Sequence, residues 1–153
     1  MNTSSIIASS RLRTLKYSLL NSVSGNFYLN TYVDGKIYGN TSTDDVAIKF
    51  DITTGNSQII NLNSAFNTFT NRNFALAQNG NLYSPPLHQH PNKVIKINTL
   101  DDSVSSFGDF SIFSSGALFG RFILAQNGNL YSPPFTANKI LQTNPLNDTI
   151  SLF

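Results

Sequence analysis

Residues 76–86, LAQNGNLYSPP, recur letter for letter at 124–134. A looser copy, YVDGKIYG, occupies 32–39. The tyrosines that align are Tyr38, Tyr83 and Tyr131, 45 and 48 residues apart. Duplication at a period of this length marks a repeat architecture, in which one small unit cannot bury its apolar face until neighbours stack against it.

Each copy centres on a turn dipeptide: Asp34-Gly35, Asn79-Gly80 and Asn127-Gly128. Such dipeptides suit a type I′ turn, where both central residues take φ > 0, so two-residue hairpins are predicted in all three copies. In the second copy the hairpin joins a strand at 74–78 to one at 81–84. Pro85-Pro86 ends the latter, because proline cannot donate to a central ladder. Two more strands follow, at 94–98 and 103–107, separated by Asp101-Asp102. The corresponding pairs are 140–144 and 149–153 in the third copy, and 47–51 and 58–60 in the first. Four short strands per unit of this length are the signature of a β-propeller blade.

The whole pattern, strand–NG–LYSPP–loop–NKVIKIN–DD–SVSSF, resembles propeller repeats of the YVTN and kelch-like type over residues 27–153. The resemblance implies that the first strand of each blade lies beside a central axis and the fourth lies outermost. It implies a fold and not an activity, since blades of this kind serve binding proteins, lectins and some lyases. The expected fold is therefore all-β, with three four-stranded antiparallel blades at about 27–61, 73–107 and 121–153. An extra N-terminal strand is expected at 11–20, where RLRTLKYSLL alternates. Residues 1–10 read as a flexible N-terminal tail and 11–153 as the repeat domain.

Composition agrees with an all-β chain. Hydrophobic residues make up 40%, enough for a core, while charged residues make up only 12%. All eight acids are aspartate. Turn formers are plentiful and strong helix formers scarce. Cysteine is absent, which removes disulfides and thiolate metal sites. A net charge of +2 is too small to imply a nucleic-acid partner, and Arg11, Arg13 and Lys16 read as a solvated strand face. Neither a signal peptide nor a membrane span is evident, so a soluble protein is expected; a virion or cell-surface component is compatible with that.

Small side chains, Ala75, Ala77 and Ala125, mark the inner strands, where the first copy has Asn30 and Tyr32. The connections 62–72 and 108–120 carry Phe66, Phe69, Phe110, Phe113 and Phe119, expected to pack between blades. Three blades leave two apolar faces without a partner, and propellers have about four to eight blades. The ring is therefore expected to be completed by other chains. A homo-oligomer, such as a head-to-tail dimer giving six blades, would do this, as would a larger assembly or a longer propeller.

The loops between second and third strands, 40–45, 84–92 and 132–138, differ between copies, and variable loops on a repeated scaffold are where ligands bind. The candidate binding face comprises Asn40, Asp44, Asp45, His88, His90, Asn92, Thr136 and Asn138. His88 and His90 share one loop, but a metal site wants three or four protein ligands, and no third histidine exists; neither metal nor cofactor is expected. Tyr83 and Tyr131 suit packing between blades with a bonded hydroxyl, the other reading being a sugar-stacking platform. Asp51, Asn98 and Asn144 share one place at a strand end, where Asx side chains bond the backbone of the next turn. Paired carboxylates, a nucleophile elbow and a phosphate loop are all missing. The function expected is a non-enzymatic protein-binding or structural assembly module. A carbohydrate-binding propeller is the alternative, and a lyase-like propeller enzyme using His88 and His90 comes third.

Overall fold

The computed structural model describes residues 27–41, 46–62, 73–86, 93–113 and 119–153. They form twelve strands: β1 Phe27–Val33, β2 Lys36–Thr41, β3 Val46–Asp51, β4 Ser57–Asn61, β5 Ala75–Leu76, β6 Leu82–Ser84, β7 Val94–Ile97, β8 Val104–Phe107, β9 Ile123–Leu124, β10 Leu130–Ser132, β11 Leu141–Asn144 and β12 Thr149–Leu152. Each run of four makes one antiparallel sheet with strands in sequence order. No helix occurs among the described residues. The three blades read from the repeat are thus three separate sheets. The extra strand expected at 11–20, the tail at 1–10, and Phe66 and Phe69 lie outside the described residues.

Turn chemistry shapes the blades, and here the structure corrects the sequence. In the first hairpin Asp34 and Gly35 both have positive φ, 44° and 78°, and Val33 pairs with Lys36, so the loop has two residues. In the other two hairpins only the glycines, Gly80 and Gly128, are left-handed. The amide of Gly80 donates to the Ala77 carbonyl and that of Ala77 to the Asn81 carbonyl, both at 3.0 Å; Ala125, Gly128 and Asn129 repeat the pattern. This is a three-residue loop closed by a left-handed glycine, and not the two-residue type I′ turn. It shortens the inner strand to Ala75–Leu76, against the expected 74–78.

Beside the hairpin, at the same end of each blade, Asp51, Asn98 and Asn144 accept, through Oδ1, the amides of Thr53, Leu100 and Leu146 at 2.8–3.0 Å. The following turn closes on a left-handed residue, which is Gly55, Asp102 or Asp148. These Asx residues serve the scaffold, as expected.

Consecutive sheets pack face to face, and their first strands adjoin, β5 lying against both β1 and β9. Near the axis Asn30 is displaced by a bulge, so that Thr31 rather than Asn30 stands opposite Tyr38. Asn30 Oδ1 accepts the Phe74 amide at 3.3 Å, and Thr31 Oγ1 donates to the Phe74 carbonyl at 2.5 Å, tying the first blade to the second. One buried cluster fills the seam between the first two blades: Val33, Tyr38, Ala47, Ile60 and Leu62 from one side, Phe74, Leu82, Ile95 and Ile97 from the other. A second cluster fills the next seam with Ala77, Tyr83 and Val94 against Phe122, Leu130 and Leu141. Phe110 and Phe119 of the connection are buried in it, with their rings 5.7 Å apart, as a connection packed between blades requires. Ile48 and Phe50 lie buried on the outer side of the first blade, with Ile37, Ile52 and Ile59 around them.

Candidate functional site

Each blade has two faces, because side chains alternate along a strand. In the second blade one face meets the first blade and the other meets the third. Ladder pairing aligns the residues of the following-blade face between copies. In the first blade Thr31, Tyr38, Lys49 and Gln58 form a row across the four strands. In the second the row is Ala75, Tyr83, Lys96 and Ser105, and in the third Ile123, Tyr131, Gln142 and Ser151. A neighbouring row holds Ala47 and Ile60, then Val94 and Phe107, then Ile140 and Phe153.

The second seam is closed by a polar latch at its rim. Lys96 Nζ donates to Asp148 Oδ2 at 2.6 Å, and the Tyr83 hydroxyl donates to Asp148 Oδ1 at 3.0 Å. Asn79 Nδ2 donates to the Tyr83 hydroxyl at 3.0 Å and to the Pro145 carbonyl at 2.8 Å. Asn79 Oδ1 meanwhile accepts the Asn81 amide, which fixes the side chain. Burial raises the pKa of Tyr83, with Asp148 adding to that and Asn79 opposing it. For Lys96, burial pulls the other way, but Asp148 and Tyr83 more than offset it and the net direction is up. Both shifts hold the latch in its protonated form.

The first seam has the same parts in a poorer arrangement. Lys49 pairs with Asp102, both largely buried. The Tyr38 hydroxyl and Asp102 Oδ1, the two groups that bond in the second seam, find no partner. Residue 34, four before the tyrosine, is an exposed aspartate rather than the asparagine donor. Burial, then Asp102, then Asp34 push the Tyr38 phenol up to about 12.

The third blade carries the same face with no further blade on it among the described residues. Ile123, Ile140 and Phe153 are 66%, 45% and 65% exposed, whereas Val94, aligned with Ile140, is fully buried. Tyr131 is half-buried, and its hydroxyl still receives Asn127 Nδ2 at 3.1 Å. The latch pair is preserved and aimed at nothing within these residues.

The loop residues fall elsewhere. The amide of Phe119 donates to the Pro86 carbonyl, and that of Gly120 to the Pro133 carbonyl, so the connection and these loops share one end. Asn40 lies in β2 and is buried, its Nδ2 donating to the Thr41 carbonyl and its Oδ1 accepting from Asn30. Thr136 and Asn138 are exposed beside Phe135, itself 78% exposed. Asp44, Asp45, His88, His90 and Asn92 lie outside the described residues. Among the described residues no group of three histidine, cysteine or acidic side chains could hold a metal. No described helix is long and apolar enough to cross a membrane.

The latch was missed at the sequence level because its partners are 52 and 65 residues apart. Its trace was there: Lys49 and Lys96 recur beside the tyrosines, Asp102 and Asp148 recur in the turns, and Gln142 and Gly55 break the two series.

No family model matches the chain, and no curated protein matches it. Twenty-five solved chains match in structure. One, a streptogramin B lyase structure, superposes with a TM-score of 0.66 at 15% identity, over 86% of this chain and 42% of its own. At that identity the likeness establishes the fold and nothing about activity. The chain is an all-β protein of three β-propeller blades, spanning less than half the length of that neighbour.

Proposed function

We propose that the chain is a non-enzymatic assembly module which docks a further blade on the open face of its third blade. The observation that carries this reading is the exposure of Ile123, Ile140 and Phe153 at positions where the other blades have Ala47, Ile60 and Val94 buried in a seam and Ala75 and Phe107 packed against one. At about 25 cal/mol per Å² of apolar surface, sealing such a side chain contributes about 1 kcal/mol or more. The repeated polar residues support the same reading, since Asn79, Tyr83, Lys96 and the Asx residues are spent on seams and turns. Sedimentation velocity tests it. The protein is expected to run above its 16.8 kDa chain mass, and Ile140→Asp is expected to return it to that mass while still folded. A folded wild-type protein that stays at chain mass over all concentrations, and in the presence of its cellular extract gains nothing that Ile140→Asp loses, would end the proposal.

A second reading, a carbohydrate-binding propeller, is favoured by Phe135, exposed in the third loop beside Thr136 and Asn138. An aromatic face flanked by short polar groups suits a sugar ring. Binding on a glycan array that is lost in Phe135→Ala would support it, and an empty array would remove it.

A further inference from the structure

The two exact copies of the repeat carry the same dipeptide, Asn79-Gly80 and Asn127-Gly128. An asparagine followed by glycine readily loses its side-chain amide, because no Cβ keeps the glycine nitrogen away from the asparagine Cγ. The flanks are identical over residues 76–86 and 124–134, so the two sites have the same intrinsic chemistry. The hairpins match as well. Both glycines are left-handed, and both glycine amides donate to an alanine carbonyl at 3.0 Å. Both asparagines accept, through Oδ1, the amide two residues on at 3.1 Å.

What differs is the hold on Nδ2, the group that leaves. Asn79 Nδ2 donates to the Tyr83 hydroxyl at 3.0 Å and, across the seam, to the Pro145 carbonyl at 2.8 Å. That hydroxyl is itself bonded to Asp148 at 3.0 Å. Asn127 Nδ2 donates to the Tyr131 hydroxyl at 3.1 Å. Among the described residues Tyr131 has no counterpart of Asp148, and Asn127 no counterpart of the Pro145 carbonyl.

We propose that Asn127 is a deamidation site, and that the seam between second and third blades protects Asn79 from the same reaction. The Gly128 nitrogen attacks Asn127 Cγ and gives up its proton. The N–Cγ bond forms, the Cγ–Nδ2 bond breaks, and Nδ2 leaves as ammonia with that proton. Water, the one co-reactant, then opens the cyclic imide at either carbonyl and leaves aspartate or isoaspartate at position 127. In both hairpins the turn must first open, since the glycine amide is bonded to alanine. At Asn79 opening must also break the bonds across the seam, which at the usual strength of a hydrogen bond slows the reaction about tenfold or more. Gln78 of the second blade does lie against Gly128, its Oε1 3.1 Å from where a Cβ would stand. It is an exposed, flexible side chain and moves aside at little cost, unlike the backbone carbonyl that holds Asn79.

The product has a counterpart in the first blade, where the residue four before the tyrosine is already an aspartate, Asp34. The Tyr38 hydroxyl there is without a partner. Deamidation at Asn127 likewise exchanges a donor to the tyrosine for an acceptor. On the assembly reading above, an incoming blade whose carbonyl took the place of Pro145 would then meet a carboxylate oxygen instead of an N–H. The modification would mark chains that have stayed undocked and weaken their docking. The site itself does not depend on that reading.

The test uses the wild-type full chain. It is held in mildly alkaline buffer over a dilution series, with sedimentation measured at each concentration, and is digested with trypsin at intervals. Peptides 73–93 and 122–139 carry the two sites separately, and mass spectrometry reads the exchange of amide for acid. In urea the two sites are expected to react at equal rates, and unequal rates there would overturn the proposal. In the folded chain at the lowest concentration Asn127 is expected to react about tenfold or more faster than Asn79. Equal rates in the folded chain at every dilution, or a faster Asn79, overturn it. A fast Asn127 that slows as concentration rises, in step with association, upholds the site and the docking face together. A fast Asn127 indifferent to concentration, in a chain that stays at its own mass, upholds the site and counts against self-association.

Discussion

The two seams of this molecule are built from the same residues and are not equally good. In the second, Asn79, Tyr83, Lys96 and Asp148 form a connected set in which the tyrosine hydroxyl both accepts and donates. In the first, Tyr38, Lys49 and Asp102 keep only the ion pair, and a hydroxyl and a carboxylate oxygen are left buried without partners. The difference traces to one hairpin. A three-residue loop holds Asn79 where its amide reaches both Tyr83 and the next blade; the two-residue Asp34-Gly35 loop ends in an exposed, acceptor-only side chain. A half-satisfied polar network stabilises less than its contact list suggests, because each orphaned group still carries its desolvation cost.

The largest expected effect breaks the second seam through its backbone. A Cβ on Gly108 would stand 2.9 Å from Phe110 Cε2 and 3.3 Å from the Ile150 side chain, at φ +93°. Gly108→Ala is expected to destabilise by about 3 kcal/mol, from overpacking plus backbone strain. Gly80→Ala, at φ +79° with nothing within 4 Å, should cost only the strain, about 1 kcal/mol. Chemical denaturation of both variants checks the ordering.

Next comes the hydroxyl. Tyr83→Phe removes a donor to Asp148 and an acceptor for Asn79 and is expected to cost about 1–2 kcal/mol. Tyr38→Phe removes an unpartnered hydroxyl and is expected to be neutral or slightly stabilising, within about 0.5 kcal/mol. Equal losses in the two variants would mean that the seams are equivalent after all.

The smallest effect sharpens the comparison at high pH. The Tyr38 phenol has its pKa raised to about 12, first by burial and then by Asp102 and Asp34. A tyrosine of the unfolded chain ionises near 10. The folded state therefore holds its proton more tightly, and the stability this gives is present below about pH 10 and lost as pH rises toward 12. Ultraviolet titration should show a late-ionising phenol, and Tyr38→Phe should move alkaline unfolding to higher pH.

Much of the fold was legible in the sequence because it is set locally. The turn dipeptides, the β-branched runs such as Val94-Ile95-Lys96-Ile97, and the Asx residues Asp51, Asn98 and Asn144 each act within a few positions of themselves. The wrong turn type at Asn79 and Asn127 is instructive. Asn-Gly was read as a demand for two left-handed residues, whereas the glycine alone supplies that geometry and the asparagine is kept for its amide. The letter-for-letter repeat is thus a record of seam chemistry more than of hairpin chemistry. The open face was legible only in part. Ile123, Ile140 and Phe153 look like ordinary strand residues until pairing aligns them with Ala75, Val94 and Phe107. Of the loop residues singled out, Asn40 is paired within β2 and accepts a bond from Asn30, and Thr136 and Asn138 remain at the surface.

A double-mutant cycle compares the two seams most directly. Tyr83→Phe and Asp148→Asn, singly and together, give the coupling across the second seam; Tyr38→Phe and Asp102→Asn give it across the first. Asparagine is used because it tolerates the left-handed turn at both acids. The latch predicts about 1 kcal/mol of coupling in the second seam and a value within about 0.5 kcal/mol of zero in the first. Equal couplings, or a larger one between Tyr38 and Asp102, would contradict it.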